Sequence, residues 1–105
     1  MKTVITSKGN NQNAPFDPRF GRGAWFCMID DQSGKTDFIE NDQAEATGGA
    51  GVKAAEKMVE LGVQKVISGD FGPKAKELLE KFNIQMVIIT DDHQSVKEII
   101  SKLTH

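Results

Sequence analysis

This sequence predicts an α/β fold: a five-stranded mixed sheet with three helices, in the chain order βββαβαβα. Three observations carry the prediction. Two short apolar runs in the first half are joined by a tight turn, the mark of a hairpin. Beyond residue 50, helical stripes alternate with apolar runs, the mark of strand–helix units. Two long Gly-rich polar segments, 7–23 and 41–51, interrupt the first half without any periodicity of their own.

Val4-Ile5-Thr6 is the first strand. Residues 7–23, rich in Gly, Asn, Gln and Pro, form a loop of a length that is uncommon in a small domain and usually functional. Ala24 to Asp30 is the second strand, Asp31-Gln32-Ser33-Gly34 a turn, and Lys35 to Glu40 the third strand. Residues 41–51 form the second loop. The first helix covers Val52 to Leu61, with Val52, Ala55, Met58 and Val59 on one face and Gly62 as its C-terminal cap. Val63 to Ile67 is the fourth strand. The turn 68–73 ends at Pro73, which suits a first helical position. The second helix carries Ala75, Leu78, Leu79 and Phe82 at i, i+3, i+4, i+7 spacing. Ile84 to Thr90 is apolar enough to be a buried parallel fifth strand. The third helix carries Val96, Ile99, Ile100 and Leu103, and Ser95 with Glu98 forms a capping box at its start.

Strands one, four and five run parallel through crossovers. A second strand folded back beside the first leaves the third pointing the same way as the first. The loops 7–23, 41–51, 68–73 and 90–94 then share the edge of the sheet where open α/β folds bind ligands. Two helices start at that edge from Gly-rich turns. Gly48, Gly49, Gly51, Gly69 and Gly72 let backbone come close to a ligand, and helix N-termini offer free N–H groups to an anion. Arg19 and Arg22 flank Phe20 and Gly21 in the long loop, and Asn10, Asn11, Gln12 and Asn13 add polar groups. The edge therefore suits an anion. Neither a Gly-Lys-Ser/Thr P-loop nor a G-x-G-x-x-G turn occurs, which argues against a nucleotide.

Composition narrows the function. The 105 residues suit one domain, 1–105. A net charge of −2 provides no basic field for nucleic acid. No apolar run approaches the roughly 20 residues of a membrane span. Met1 to Ile5 lacks the apolar stretch of a secretion signal, so the expected location is the cytoplasm. One cysteine, Cys27, rules out an internal disulfide, and with only His93 and His105 beside it a structural zinc site is not expected. Mid-strand, Cys27 reads first as a small core residue and second as a metal thiolate. His93, in Asp91-Asp92-His93, reads first as solvated and second as a metal ligand. Trp25, Phe26, Met28, Met58 and Met86 read as core. Asp17, Asp70, Asp91 and Asp92 raise the question of a two-metal nuclease, which needs metals about 3.5–4 Å apart, and the first strand has no carboxylate at its centre. No nucleophile–base pair is evident, so the chain reads as a non-enzyme.

Three motifs make the reading specific: Phe16-Asp17-Pro18-Arg19-Phe20-Gly21-Arg22-Gly23-Ala24-Trp25-Phe26, then Thr47-Gly48-Gly49-Ala50-Gly51, then Ser68-Gly69-Asp70-Phe71-Gly72-Pro73-Lys74-Ala75. In this order, and over essentially the whole chain, they resemble the dinitrogenase iron–molybdenum cofactor biosynthesis family. The resemblance implies a ribonuclease H-like sandwich and the transient binding of an iron–sulfur or molybdenum–iron–sulfur cluster. Some stand-alone members hold a molybdenum–copper–sulfide cluster. Partners would be the cluster and its donor and acceptor proteins. The residues expected to bind it are Arg19, Phe20, Gly21, Arg22, Thr47, Gly48, Gly49, Ala50, Gly51, Gly69, Asp70, Phe71 and Gly72. The family commonly has His just before the Phe-Gly-Arg of its first motif. Arg19 stands there in this chain, and a guanidinium does not ligate a metal as imidazole does. A regulatory or protein-interaction module on the same fold, without the cofactor, is the alternative expectation.

Overall fold

The computed structural model describes residues 1–103. Its elements are β1 (Lys2–Ser7), β2 (Trp25–Asp30), β3 (Thr36–Glu40), α1 (Ala50–Leu61), β4 (Lys65–Ser68), α2 (Pro73–Lys81), β5 (Gln85–Ile88) and α3 (Val96–Leu103). The predicted order holds. The strands form one sheet in the order β3-β2-β1-β4-β5. β2 is antiparallel to both β1 and β3, while β4 is parallel to β1 and β5 to β4.

Alternation along the strands divides the interior into two cores. Val4, Phe26 and Val66 meet Ala54, Ala55 and Met58 of α1 and Ala75 and Leu79 of α2 on one face. Ile5, Cys27 and Ile67 meet Val96 and Ile99 of α3, together with Phe16 of the long loop, on the other. Full burial of side chains of this size is worth about 1.5–3 kcal/mol each, so the two faces hold the sheet between the helices.

Several local expectations are corrected. α1 begins at Ala50 with Gly49 as N-cap, so Ala50 and Gly51 are helical and not loop. Its buried face is Ala50, Ala54, Ala55 and Met58, shifted from the predicted stripe. β4 starts at Lys65, which leaves the buried Val63 outside it. The fifth strand is not interior. β5 pairs only with β4, at the end of the sheet, and Ile88 is 63% exposed. Composition marked it as apolar, but strand order decides which strand has two neighbours. Phe82 is the cap residue of α2 and 49% exposed, because the helix ends at Lys81 before the stripe completes its turn.

Candidate functional site

The loops after β1, β3 and β4 enclose a cleft of about 680 Å³. Arg19, Phe20, Gly21 and Arg22 form one wall, Gly49, Ala50, Gly51 and Val52 a second, and Asp70, Gly72, Pro73, Lys74 and Ala75 a third. The walls meet because the long loop splits into two halves with different tasks.

Residues 8–16 turn to the opposite face of the sheet and cap α3. Val96 N–H donates to Ala14 O at 3.0 Å and Lys97 N–H to Gln12 O at 2.8 Å. Gln12 reaches Thr36 Oγ1 at 3.2 Å, and Asn11 Oδ1 accepts from Asn13 N–H at 2.9 Å. The polar cluster 10–13 therefore lies away from the cleft, contrary to expectation. The capping box of α3 forms as predicted, with Glu98 N–H donating to Ser95 Oγ at 3.2 Å and Ser95 N–H to Glu98 Oε1 at 3.1 Å.

Residues 17–23 make the cleft. Pro18 O accepts from Gly69 N–H at 3.1 Å, and Asp70 O accepts from Phe20 N–H at 3.3 Å. Phe20 is buried and packs against Phe71, the rings tilted at 40° with centroids 5.1 Å apart, within the distance range that aromatic pairs favour. Gly21 approaches α1 so closely that a Cβ there would lie 2.6 Å from Gly51 N. That contact excludes any side chain at 21 and brings the long loop against the first turn of the helix.

The starts of α1 and α2 differ from that of α3. The N-caps Gly49 and Gly72 provide no side-chain hydrogen bond, and neither helix has an acidic residue in its first turn. The first intrahelical donors are Lys53 N–H to Gly49 O and Lys76 N–H to Gly72 O, both at 2.9 Å. Earlier N–H groups have no carbonyl one turn back, so two positive dipole ends border the cleft uncompensated by any acid of their own.

Charged groups at the rim are Arg19, Arg22, Lys74 and Asp70. Arg22 Nη1 donates to Ala44 O at 3.0 Å and to Ala46 O at 2.6 Å, fastening the loop ahead of α1. Arg19 forms an ion pair with Asp17, Nη2 to Oδ2 at 3.0 Å. The Asp17 hydrogen bond, and then its charge, push the Arg19 guanidinium above its ordinary value, so it stays cationic.

The structure brings together Arg19, Phe20, Gly21, Arg22, Gly49, Ala50, Gly51, Asp70 and Gly72 of the predicted residues. Thr47 and Gly48 are exposed and stand outside the lining, Gly69 backs onto Pro18, and Phe71 supports Phe20. Val52, Pro73, Lys74 and Ala75 were missed as lining. Lys74 was readable as the residue after a helix-opening proline, where first-turn side chains border the same edge. Both metal candidates lie elsewhere. Cys27 is fully buried on the α3 face, its thiol pushed up to about 12 by burial and then by the charge of Asp37. His93 is almost wholly exposed, 3.8 Å from Asp92. Among the described residues no three His, Cys, Asp or Glu side chains gather to hold a metal ion. His105 lies outside the described residues.

The family model described as Dinitrogenase iron-molybdenum cofactor matches residues 1–105. The chain belongs to this family. Two solved structures show the same fold. The apo form of the orange protein from Desulfovibrio gigas is 26% identical, with a TM-score of 0.86 over 97% of this chain and 85% of that one. A NifB-like protein from Thermotoga is 27% identical, with a TM-score of 0.83 over 98% of this chain and 86% of that one. Among curated proteins none matches. Within the family frame, the cleft is built from all three motifs: the first supplies the Arg19–Arg22 wall, the second the start of α1 and the third the start of α2.

Proposed function

We propose that this protein binds and carries an anionic metal–sulfur cluster, the iron–molybdenum cofactor, its precursor or a related molybdenum or iron sulfide, without catalysing a reaction. One observation carries the reading. α1 and α2 open at the cleft with glycine N-caps and no first-turn acid, while α3 in the same chain is fully capped. Unused helix N-termini beside Arg19, Arg22 and Lys74 favour an anion.

The donor set fits a cargo more than a resident cofactor. With no Cys or His among the lining residues, the cleft has no soft ligand for iron or copper. A cluster that arrives with its own sulfide ligands would be held by N–H groups and guanidinium, and released without breaking a coordinate bond. Family membership supports a role in nitrogenase-type cofactor biosynthesis, and likeness to the orange protein and to a NifB-like protein points the same way. Cluster donor and acceptor proteins, a location in the cytoplasm and the ribonuclease H-like assignment of the fold belong to this reading.

Anaerobic reconstitution with iron, sulfide and molybdate, followed by desalting, tests it. Retained metal with visible absorbance is expected. Protein that emerges folded, colourless and metal-free would exclude the role. A second reading, a cofactor-free interaction module, draws support from the Arg19–Asp17 pair, which offsets one of the cations at the rim. A stable protein partner captured from native extract, with no metal in the complex, would favour it.

A further inference from the structure

Asp17 does not line the cleft, and its side chain is 1% exposed, yet it controls a group that does. Asp17 Oδ1 accepts from Arg19 backbone N–H at 2.9 Å and from Nε at 3.1 Å, and Oδ2 accepts from Nη2 at 3.0 Å. This is a two-pronged carboxylate–guanidinium fork. It occupies the inner edge of the guanidinium. The outer edge, Nη1 and the second hydrogen of Nη2, belongs to a side chain 63% exposed at the cleft wall.

The base of the fork is fixed from below. Asp17 N–H donates to Thr6 O at 3.0 Å, and Thr6 Oγ1 donates to Asp17 O. Ser68 Oγ donates to Pro18 O at 3.4 Å. The backbone that carries the carboxylate is thereby tied to the central strand β1 and to its neighbour β4.

Asp17 acts on an anion in the cleft in two opposing ways. Its charge weakens the attraction of Arg19 for that anion. Its fork removes the rotamer freedom that an arginine loses on binding, and aims the remaining donors. The first effect is limited, because the carboxylate is already paired with the guanidinium at 3.0 Å and the two charges offset each other. The second sets where the remaining donors stand. We infer that Asp17 is a positioning residue, which holds the outer edge of the Arg19 guanidinium as a fixed hydrogen-bond donor for the anionic ligand. This rests on the cluster-binding reading.

The probe is tetrathiomolybdate, titrated anaerobically into wild type, Asp17→Asn, Arg19→Ala and the double variant, with the Arg19 Nε–H followed by NMR. Wild type should show a protected Nε–H signal that Asp17→Asn loses. Asp17→Asn should bind roughly tenfold more weakly, although it removes a negative charge near an anion. The double variant, which also relieves the unpaired buried carboxylate of Arg19→Ala, should bind no more weakly than Arg19→Ala alone. Asp17→Asn binding as tightly as wild type or tighter overturns the inference, since charge then outweighs orientation. A loss that is equally large in the Arg19→Ala background also overturns it, by making Asp17 merely structural. A folded wild type that binds no tetrathiomolybdate overturns the cluster reading and this inference together, and is distinct from failure of Asp17 alone, in which wild type binds.

Discussion

Arg19 stands where the resemblance drawn from the sequence leads one to expect a histidine. A histidine before Phe20-Gly21-Arg22 would offer a ring nitrogen to a metal. Arginine offers only donors, and here its inner edge is already engaged by Asp17. Cys27 makes the opposite point: its chemistry is available in the sequence but removed by burial. Its thiol is raised from 9.0 to about 12 in the folded chain, by desolvation first and the charge of Asp37 second. Above pH 9 the unfolded chain releases a proton that the folded chain keeps. The contribution is whole below pH 9 and is lost as pH rises toward about 12. Urea unfolding midpoints should therefore fall across that window, and fall less in Cys27→Ala, which itself costs about 1–2 kcal/mol of packing. A thiol reagent should label wild type only once denaturant is added.

At the level of elements, the three helix starts show how one fold separates structural from ligand-facing termini. α3 is closed by Ser95, Glu98, Ala14 and Gln12, while α1 and α2 are left to glycine. Gly72 tests the division. Its φ of −62° and ψ of 156° suit any N-cap residue, and a Cβ there meets nothing within 4 Å. Gly72→Asp should raise stability by about 0.5 kcal/mol through capping and the helix dipole. The same carboxylate sits at the cleft, so retention of an anionic cluster should drop severalfold. Thermal melts and metal retention on the same samples check the opposite signs; a variant that is both more stable and fully loaded would remove α2 from the site.

For the whole molecule, strand order decides which loops can meet. β1, β4 and β3 send their following segments to the cleft, whereas the segment after β5 leads to α3 on the other face. This is why His93, at the predicted edge, takes no part. It also makes β5 an outer strand with Ile88 largely in solvent. Ile88→Thr should change stability by less than about 0.5 kcal/mol in urea titration, where a buried isoleucine such as Ile67 would cost several times more.

Local pattern determined much of this protein. The stripes Ala75, Leu78, Leu79 and Val96, Ile99, Ile100, Leu103 placed two helices, Ser95 and Glu98 placed a cap, and three Gly-rich motifs named most of the cleft wall, because helical period and turn chemistry are properties of neighbouring residues. The tertiary structure alone decided that residues 8–16 cap α3 while 17–23 line the cleft, that Asp17 holds Arg19, that Cys27 faces away and that β5 is an edge. Each of these depends on which strands are neighbours and which sheet face a side chain enters. Those choices are made by burial and hydrogen bonding between segments far apart in the chain, so no local spacing records them.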